Sequence, residues 1–283
     1  MKLRTWIASG LLVATQLAYA GGSRDVPVQE SSMLLKGDIS VDATGTVVAH
    51  RLDKEESIPP GVVAFLRERI PHWRFRPMQE DGVPIGARNT MRILLVATQI
   101  EGGGFEMRLQ AASFDPLDEK QGYTLVSQKM MPPKFPREMA RAGVSGTAFV
   151  LVKVGRDGAV QSSFVEQVNL HDWGSEAVMQ KMRESFAESA RDAARRWRFT
   201  PPTRGDRAAD ASWTVRVPIQ YLRHKLAEPQ YGKWVGYIPG PRSRPDWVDP
   251  DLLLASPEAL PEGTASLLAG DGLDLLTPLG EGT

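Results

Sequence analysis

The side chains in this sequence best suited to metal or proton chemistry are four histidines, His50, His72, His171 and His224, and they are dispersed. None falls in an H-E-x-x-H or similar spacing, which would bring two imidazoles onto one helix face. Cysteine is absent, so thiolate ligands, nucleophilic thiols and disulfides are excluded together. There is no G-x-S-x-G elbow, and Gly102-Gly103-Gly104 is not framed by a strand and a helix as a phosphate loop must be. The adjacent carboxylates Glu55-Glu56 lie in a loop-like stretch without the signature of a hydrolase pair. The residues therefore nominate no catalytic group, no cofactor, no metal and no small-molecule substrate, and the expectation is a protein that is not an enzyme.

What remains is the chemistry of charge and of the backbone. Arg191, Arg195, Arg196 and Arg198 have in part the spacing of a helix face, which is either simply solvated or set against an anionic surface such as cell-wall polymer or lipid head groups. In residues 213–222, Trp213, Val215, Val217, Ile219 and Tyr221 alternate with Thr214, Arg216, Pro218 and Gln220. That period of two predicts a strand with one face on the core and one in water. Pro218 cannot donate to a ladder, which puts the strand at a sheet edge. An edge strand is either blunted against aggregation or used for docking. Trp213, Val215, Arg216, Val217, Ile219 and Tyr221 are accordingly the candidate partner-binding residues.

These residues belong to an internal repeat. Trp73-Arg74-Phe75-Arg76-Pro77 recurs as Trp197-Arg198-Phe199-Thr200-Pro201, and Arg92 and Arg216 each follow their tryptophan by 19 positions. Upstream, Thr44-Gly45 and Asp157-Gly158 each supply turn chemistry between two strand-like runs. The turn lies 28 positions before the tryptophan in the first case and 39 in the second, an excess of about three helical turns. Each unit thus reads strand, turn, strand, helix, strand. The predicted helix stripes are Val62, Leu66, Ile70 and Trp73, and Val178, Met182, Phe186, Ala190, Ala193 and Trp197. Packing is the expected role of both Trp-Arg-Phe sets. A run apolar on both faces, 91–97, is followed by the glycines and an alternating segment, 105–111, which predicts a hairpin that caps the first unit. The second unit has no such cap, so its edge is expected to be open.

Lys2 and Arg4 precede an apolar run ending in Ala18-Tyr19-Ala20, the pattern of a secretory signal cut after Ala20; the alternative is a retained inner-membrane anchor. Export makes nucleic acid an unsuitable partner. Every charged residue after Arg244, from Asp246 to Glu281, is acidic, although the whole chain balances 34 bases against 34 acids. A solvated, largely disordered tail over 223–283 is expected, Pro-rich at first and then acidic.

In residues 132–222 the order Phe135-Pro136, Ala140, Gly143, Gly146, Asp157-Gly158, Trp197-Arg198-Phe199-Thr200-Pro201 and Val217-Pro218-Ile219 resembles the C-terminal domain of TonB-family energy transducers. Residues 37–114 resemble a diverged copy of that unit. The resemblance implies an α+β fold of two small units, each a three- to four-stranded antiparallel sheet with a helix on one face. Residues 1–20 are then the signal peptide, 21–36 and 115–131 linkers. It further implies a periplasmic module that accepts a segment of an outer-membrane receptor as an added strand. The apolar N-terminal run holds no His, and a Pro-Glu/Pro-Lys spacer is absent, both departures from the family. The second reading is an envelope interaction protein that holds peptidoglycan or a periplasmic protein without energy coupling.

Overall fold

The structure is a computed structural model that describes residues 29–80, 82–100, 105–116, 122, 125–204, 206–222, 230–250, 257, 266–267 and 273–279. The expected signal peptide, His224 and Gly102–Gly104 lie outside the described residues. In chain order the first half contains β1 (Glu30–Val41), β2 (Val47–Leu52), α1 (Pro60–Arg69), the short hairpin β3 (Met78–Glu80) and β4 (Val83–Ile85), β5 (Ala87–Gln99) and β6 (Phe105–Pro116). Then follow β7 (Val126–Lys129), α2 (Arg137–Ala142), β8 (Gly146–Gly155), β9 (Val160–Leu170), α3 (Glu176–Ala194), β10 (Arg198–Thr200) and β11 (Ser212–Tyr221). Two short strands, β12 (Val235–Tyr237) and β13 (Ser266–Leu267), come from the C-terminal region. The fold is mixed α+β, built mostly of antiparallel sheet with few helices.

In the first sheet β1 pairs β5, β5 pairs β6, and the far side of β1 is shared by β2 and β12. In the second sheet β8 lies between β9 and β11, and β13 lies outside β11. Alternation decides which side chains meet the helices. Met33, Leu35, Ile39 and Val41 of β1 and Met91, Ile93 and Leu95 of β5 form one core with Val62, Leu66, Ile70 and Trp73. Ala148, Val150, Val152 and Val154 of β8 do the same against Met182, Phe186, Ala190 and Ala193 of α3. Val178 departs from its expected stripe: it is exposed, and Met179 takes the inward place in the first turn. β6 pairs β5 from Asn89↔Pro116 to Gln99↔Phe105, the hairpin cap that the alternation predicts.

Both Trp-Arg-Phe segments are buried packing. Trp73, Phe75, Trp197 and Phe199 are all at most 3% exposed. Phe114 of β6 meets Trp73 and Phe75 edge-on, with ring centroids 5.7 and 4.8 Å apart. The Trp197 indole N–H donates to the Met131 carbonyl at 2.9 Å, so burial leaves it no unpaired polar atom. Each Phe amide donates to the turn glycine of its own half, Phe75 to Gly45 at 2.8 Å and Phe199 to Gly158 at 3.0 Å. Both glycines are left-handed, φ 81° and 72°, and both press on the phenylalanine carbonyl so closely that a Cβ would stand 1.9 or 2.0 Å from its oxygen. The turn admits only glycine because the chain leaving the helix lies directly on it.

Within the region expected to be a disordered tail, the described residues 230–250 and 273–279 pack on the body of the protein. Residues 230–250 cross both sheets: β12 pairs β1 from Glu30↔Tyr237 to Ser32↔Val235, and Ile238 exchanges amide hydrogen bonds with Leu170 at 2.7 and 3.0 Å. The Tyr231 hydroxyl sits on the backbone of Lys36, accepting from its amide at 3.0 Å and lying 3.1 Å from its carbonyl. Further on, Leu273 enters the first core, Phe75 bridges Leu275, and Arg76 pairs with Asp274 at 3.0 Å.

A Gly158→Ala variant is expected to lose at least about 2 kcal/mol, from left-handed strain and the clash with the Phe199 carbonyl. Gly61→Ala in α1, where nothing lies within 4 Å of the new Cβ, is expected to be neutral or stabilising by up to about 1 kcal/mol. Urea denaturation of the two variants checks both values.

Candidate docking edge

β11 is held by a full ladder to β8, from Ser212↔Gly155 to Tyr221↔Gly146. Of the candidate residues, Trp213, Val215, Val217, Ile219 and Tyr221 point into the core beneath α3 and are buried. The Trp213 indole N–H donates to the Arg207 carbonyl at 3.1 Å. The Tyr221 ring stacks on Phe186 at 4.6 Å and meets Phe135 edge-on at 5.6 Å. Its hydroxyl donates to the Phe186 carbonyl at 3.2 Å. These side chains fix the strand; what β11 can offer a partner is its backbone.

Arg216 is the first correction. Alternation assigns it to the solvent face, yet it is 3% exposed. Its Nε and Nη2 donate to the two oxygens of Glu166, at 2.7 and 3.0 Å, and Arg242 reaches the same carboxylate at 2.8 Å. Glu166 itself is fully buried. β9 pairs Val165 with Val150 and Gln167 with Phe149, so Glu166 is the extra residue of a bulge. Bulges re-aim a side chain, and this one turns a carboxylate toward Arg216. The Ser243 amide donates to the Glu166 carbonyl at 2.9 Å, and Val248 packs on Leu151 beside Trp247 and Phe164. Both faces of the second sheet are therefore covered. Phe149 and Leu151, on the face of β8 away from α3, are buried for that reason.

The second correction concerns the edge. β13 pairs β11 at Val215↔Leu267 and Arg216↔Ser266, so the strand expected to be open is occupied at its centre. From Val217 to Tyr221 its neighbour among the described residues is β8 alone, on the stretch that contains Pro218. Glu166, Arg242 and the Ser266–Leu267 pair are the parts of this site that alternation did not reveal. The bulge shifts the phase of β9, and the other two come from segments without periodic pattern.

No group of His, Asp and Glu able to hold a metal ion occurs among the described residues, and none of their helices is long and apolar enough to cross a membrane. His50 lies on β2, His72 in the turn before Trp73, and His171 just beyond β9. Burial holds the His171 imidazole below its ordinary pKa, against the opposing pull of Asp172. Glu55 is paired with Arg67.

Glu166→Ala is expected to cost about 3–5 kcal/mol by leaving Arg216 buried without its counter-charge. A Glu166→Met/Arg216→Met double variant should regain most of that loss; chemical denaturation of both checks the sign. Tyr221 gives a pH signature. Burial raises its pKa from 10.0 to about 12, so its contribution is complete below pH 10 and lost as pH rises toward 12. The loss is roughly 2–3 kcal/mol over that window and should vanish in Tyr221→Phe, read from denaturation at pH 9 to 12.

No family model matches the chain. The protein TonB of two strains of Xanthomonas campestris pathovar campestris is 33% identical to it over 96 residues, 34% of this chain and 36% of theirs. The chain thus spans about a third of the length of the curated relatives it matches, and over that third it is similar to TonB. The match supports a TonB-like C-terminal domain within this chain.

Proposed function

We propose that this protein is a periplasmic TonB-like binding module, without enzymatic activity, that serves outer-membrane receptor-mediated transport. It engages an extended segment of an outer-membrane receptor by strand addition along the outer edge of β11. The observation that carries this reading is the position of β11: a ten-residue strand, fully laddered to β8 on one side, with a two-residue pairing at its centre on the other. A backbone so fixed by Trp213, Val217 and Tyr221 presents amides and carbonyls at set spacing, as strand addition requires. Similarity to TonB supplies the kind of partner.

In the same reading residues 37–114 are a diverged copy of the unit at 132–222. Three features support it: the shared order strand, turn, strand, helix, strand; the matching Phe-to-Gly hydrogen bonds; and the bridges Thr46↔Arg74 and Ala159↔Arg198 beside them. The copies differ in what lies beyond the last strand, since β5 has the long partner β6 and β11 the short β13. Residues 1–20 act as a signal peptide that delivers the chain to the periplasm.

A photo-crosslinking residue placed at Gln220, half-buried on β11, is expected to capture an outer-membrane β-barrel receptor in intact cells. The same residue at Val48 on β2 should capture none. Recovery of peptidoglycan fragments alone from Gln220 would overturn the receptor reading in favour of a cell-wall-binding protein.

A further inference from the structure

The strand that occupies β11 belongs to the chain itself, and the residues before and after it are both anchored. Before it, Arg242 holds Glu166 and Val248 packs on Leu151. After it, Leu273 is buried in the first core, and the Arg76 amide donates to the Asp274 carbonyl at 2.9 Å. The Leu276 amide donates to Arg74 at 2.8 Å, and the Arg74 amide donates to the Thr277 hydroxyl at 2.8 Å. Ser266–Leu267 is thereby kept beside β11 at the high effective concentration of a tethered ligand, on the order of millimolar. Among the described residues its ladder spans two residues, whereas β11 offers ten. A pairing held mainly by its tethers is displaceable by an extended segment that takes more of the strand.

We propose that the C-terminal region is a built-in competitor: the backbone of Ser266–Leu267 masks the β11 edge at Val215 and Arg216 and must leave before a partner strand can add there. The proposal rests on the reading of β11 as the docking edge and adds its regulation. The occupant that displaces the mask is an extended peptide, which gains more of the ladder than the mask gives up. Neither anchor pairs with the β11 backbone, so displacing β13 leaves the two cores intact. The tail then rebinds when the partner departs.

The mask predicts that the free edge will take its own strand back in trans. A fluorescein-labelled peptide of residues 262–271 is titrated against the full chain and against full-length Leu267→Pro and Asp274→Arg variants, with fluorescence anisotropy as readout. Leu267→Pro removes a backbone N–H and the extended freedom that pairing needs. Asp274→Arg sets like charge against Arg76 and loosens the distal anchor without touching either strand. Leu267→Pro is expected to bind the peptide at least tenfold more tightly than the wild type, and Asp274→Arg about threefold. Variants that retain the native tryptophan emission and bind no more tightly than the wild type would overturn the mask, as would absence of binding in all three forms. A gain in peptide binding with no receptor captured from Gln220 would sink the transport reading and leave the mask standing. Receptor capture equal in all forms, with no gain in peptide binding, would sink the mask alone.

Discussion

A buried carboxylate without a counter-charge would cost several kcal/mol, and the arrangement of the second sheet follows from how Glu166 avoids that cost. Its two oxygens are taken by Arg216 from β11 and Arg242 from the C-terminal segment. Three parts of the chain, at positions 166, 216 and 242, are thus joined at one point. Without Glu166, Arg216 would be a buried cation lacking its counter-charge, and the Pro-rich segment would lose the charge that seats it. An apolar trio of similar volume could be as stable. What the ionic trio adds is a fixed seat, since the Arg242 guanidinium takes the remaining lone pairs of the carboxylate. Packing of Val248 on Leu151 completes the seat, an apolar contact that would tolerate sliding if it stood alone.

The sheet that packs on α1 and the sheet that packs on α3 cover their opposite faces and their edges differently. In the first half β5 is apolar on both faces; Leu94 and Val96 are buried with Ala111 of β6 on the side away from α1. The long hairpin partner gives β5 a neighbour along nearly its whole length. In the second half the opposite face is mixed, Leu151 beside Arg216 and Glu166, and it is covered by an extended segment from far along the chain. Such a segment satisfies its own backbone poorly. It depends on borrowed partners: Ile238 on Leu170, Ser243 on Glu166, Gly240 on the Asn169 side chain. Local hairpins close cheaply in entropy, whereas this strap closes loops such as the 195-residue separation between Lys36 and Tyr231. The strap is therefore the part of the fold whose stability is most conditional.

Legibility in the sequence follows the same division. Strands β8 and β11, the Val62–Leu66–Ile70–Trp73 stripe and the β5–β6 hairpin could be read because each is set by local periodicity over six or more residues. Val178 was misplaced because helix periodicity is least constrained in the first turn, where Met179 has the better reach to the core. Arg216 was misplaced for a different reason. Alternation says which face a side chain takes, not whether that face is wet, and the covering segment carries no period of its own. β12 and β13, of three and two residues, lie below the length at which any pattern exists. The Trp-Arg-Phe segments were legible as packing, but their dependence on Gly45 and Gly158 needed the contact between a helix exit and a turn far upstream.

The difference between a blunted edge and a docking edge is one of energy rather than geometry. A two-residue antiparallel pair contributes net on the order of 1–3 kcal/mol, enough to stay closed when tethered and too little to resist a longer competitor. Pro218 fits this balance. It lies in the stretch of β11 beyond β13, where its missing N–H weakens continuous pairing with another edge. A second copy of the chain would meet that interruption at every register, while a partner evolved against this strand can place a residue that needs no donor opposite it. The same proline can therefore discourage indiscriminate edge-to-edge association and still permit a chosen strand. In the proposed reading a short tethered mask gives protection of the same graded kind, and the two devices together make the edge selective rather than closed.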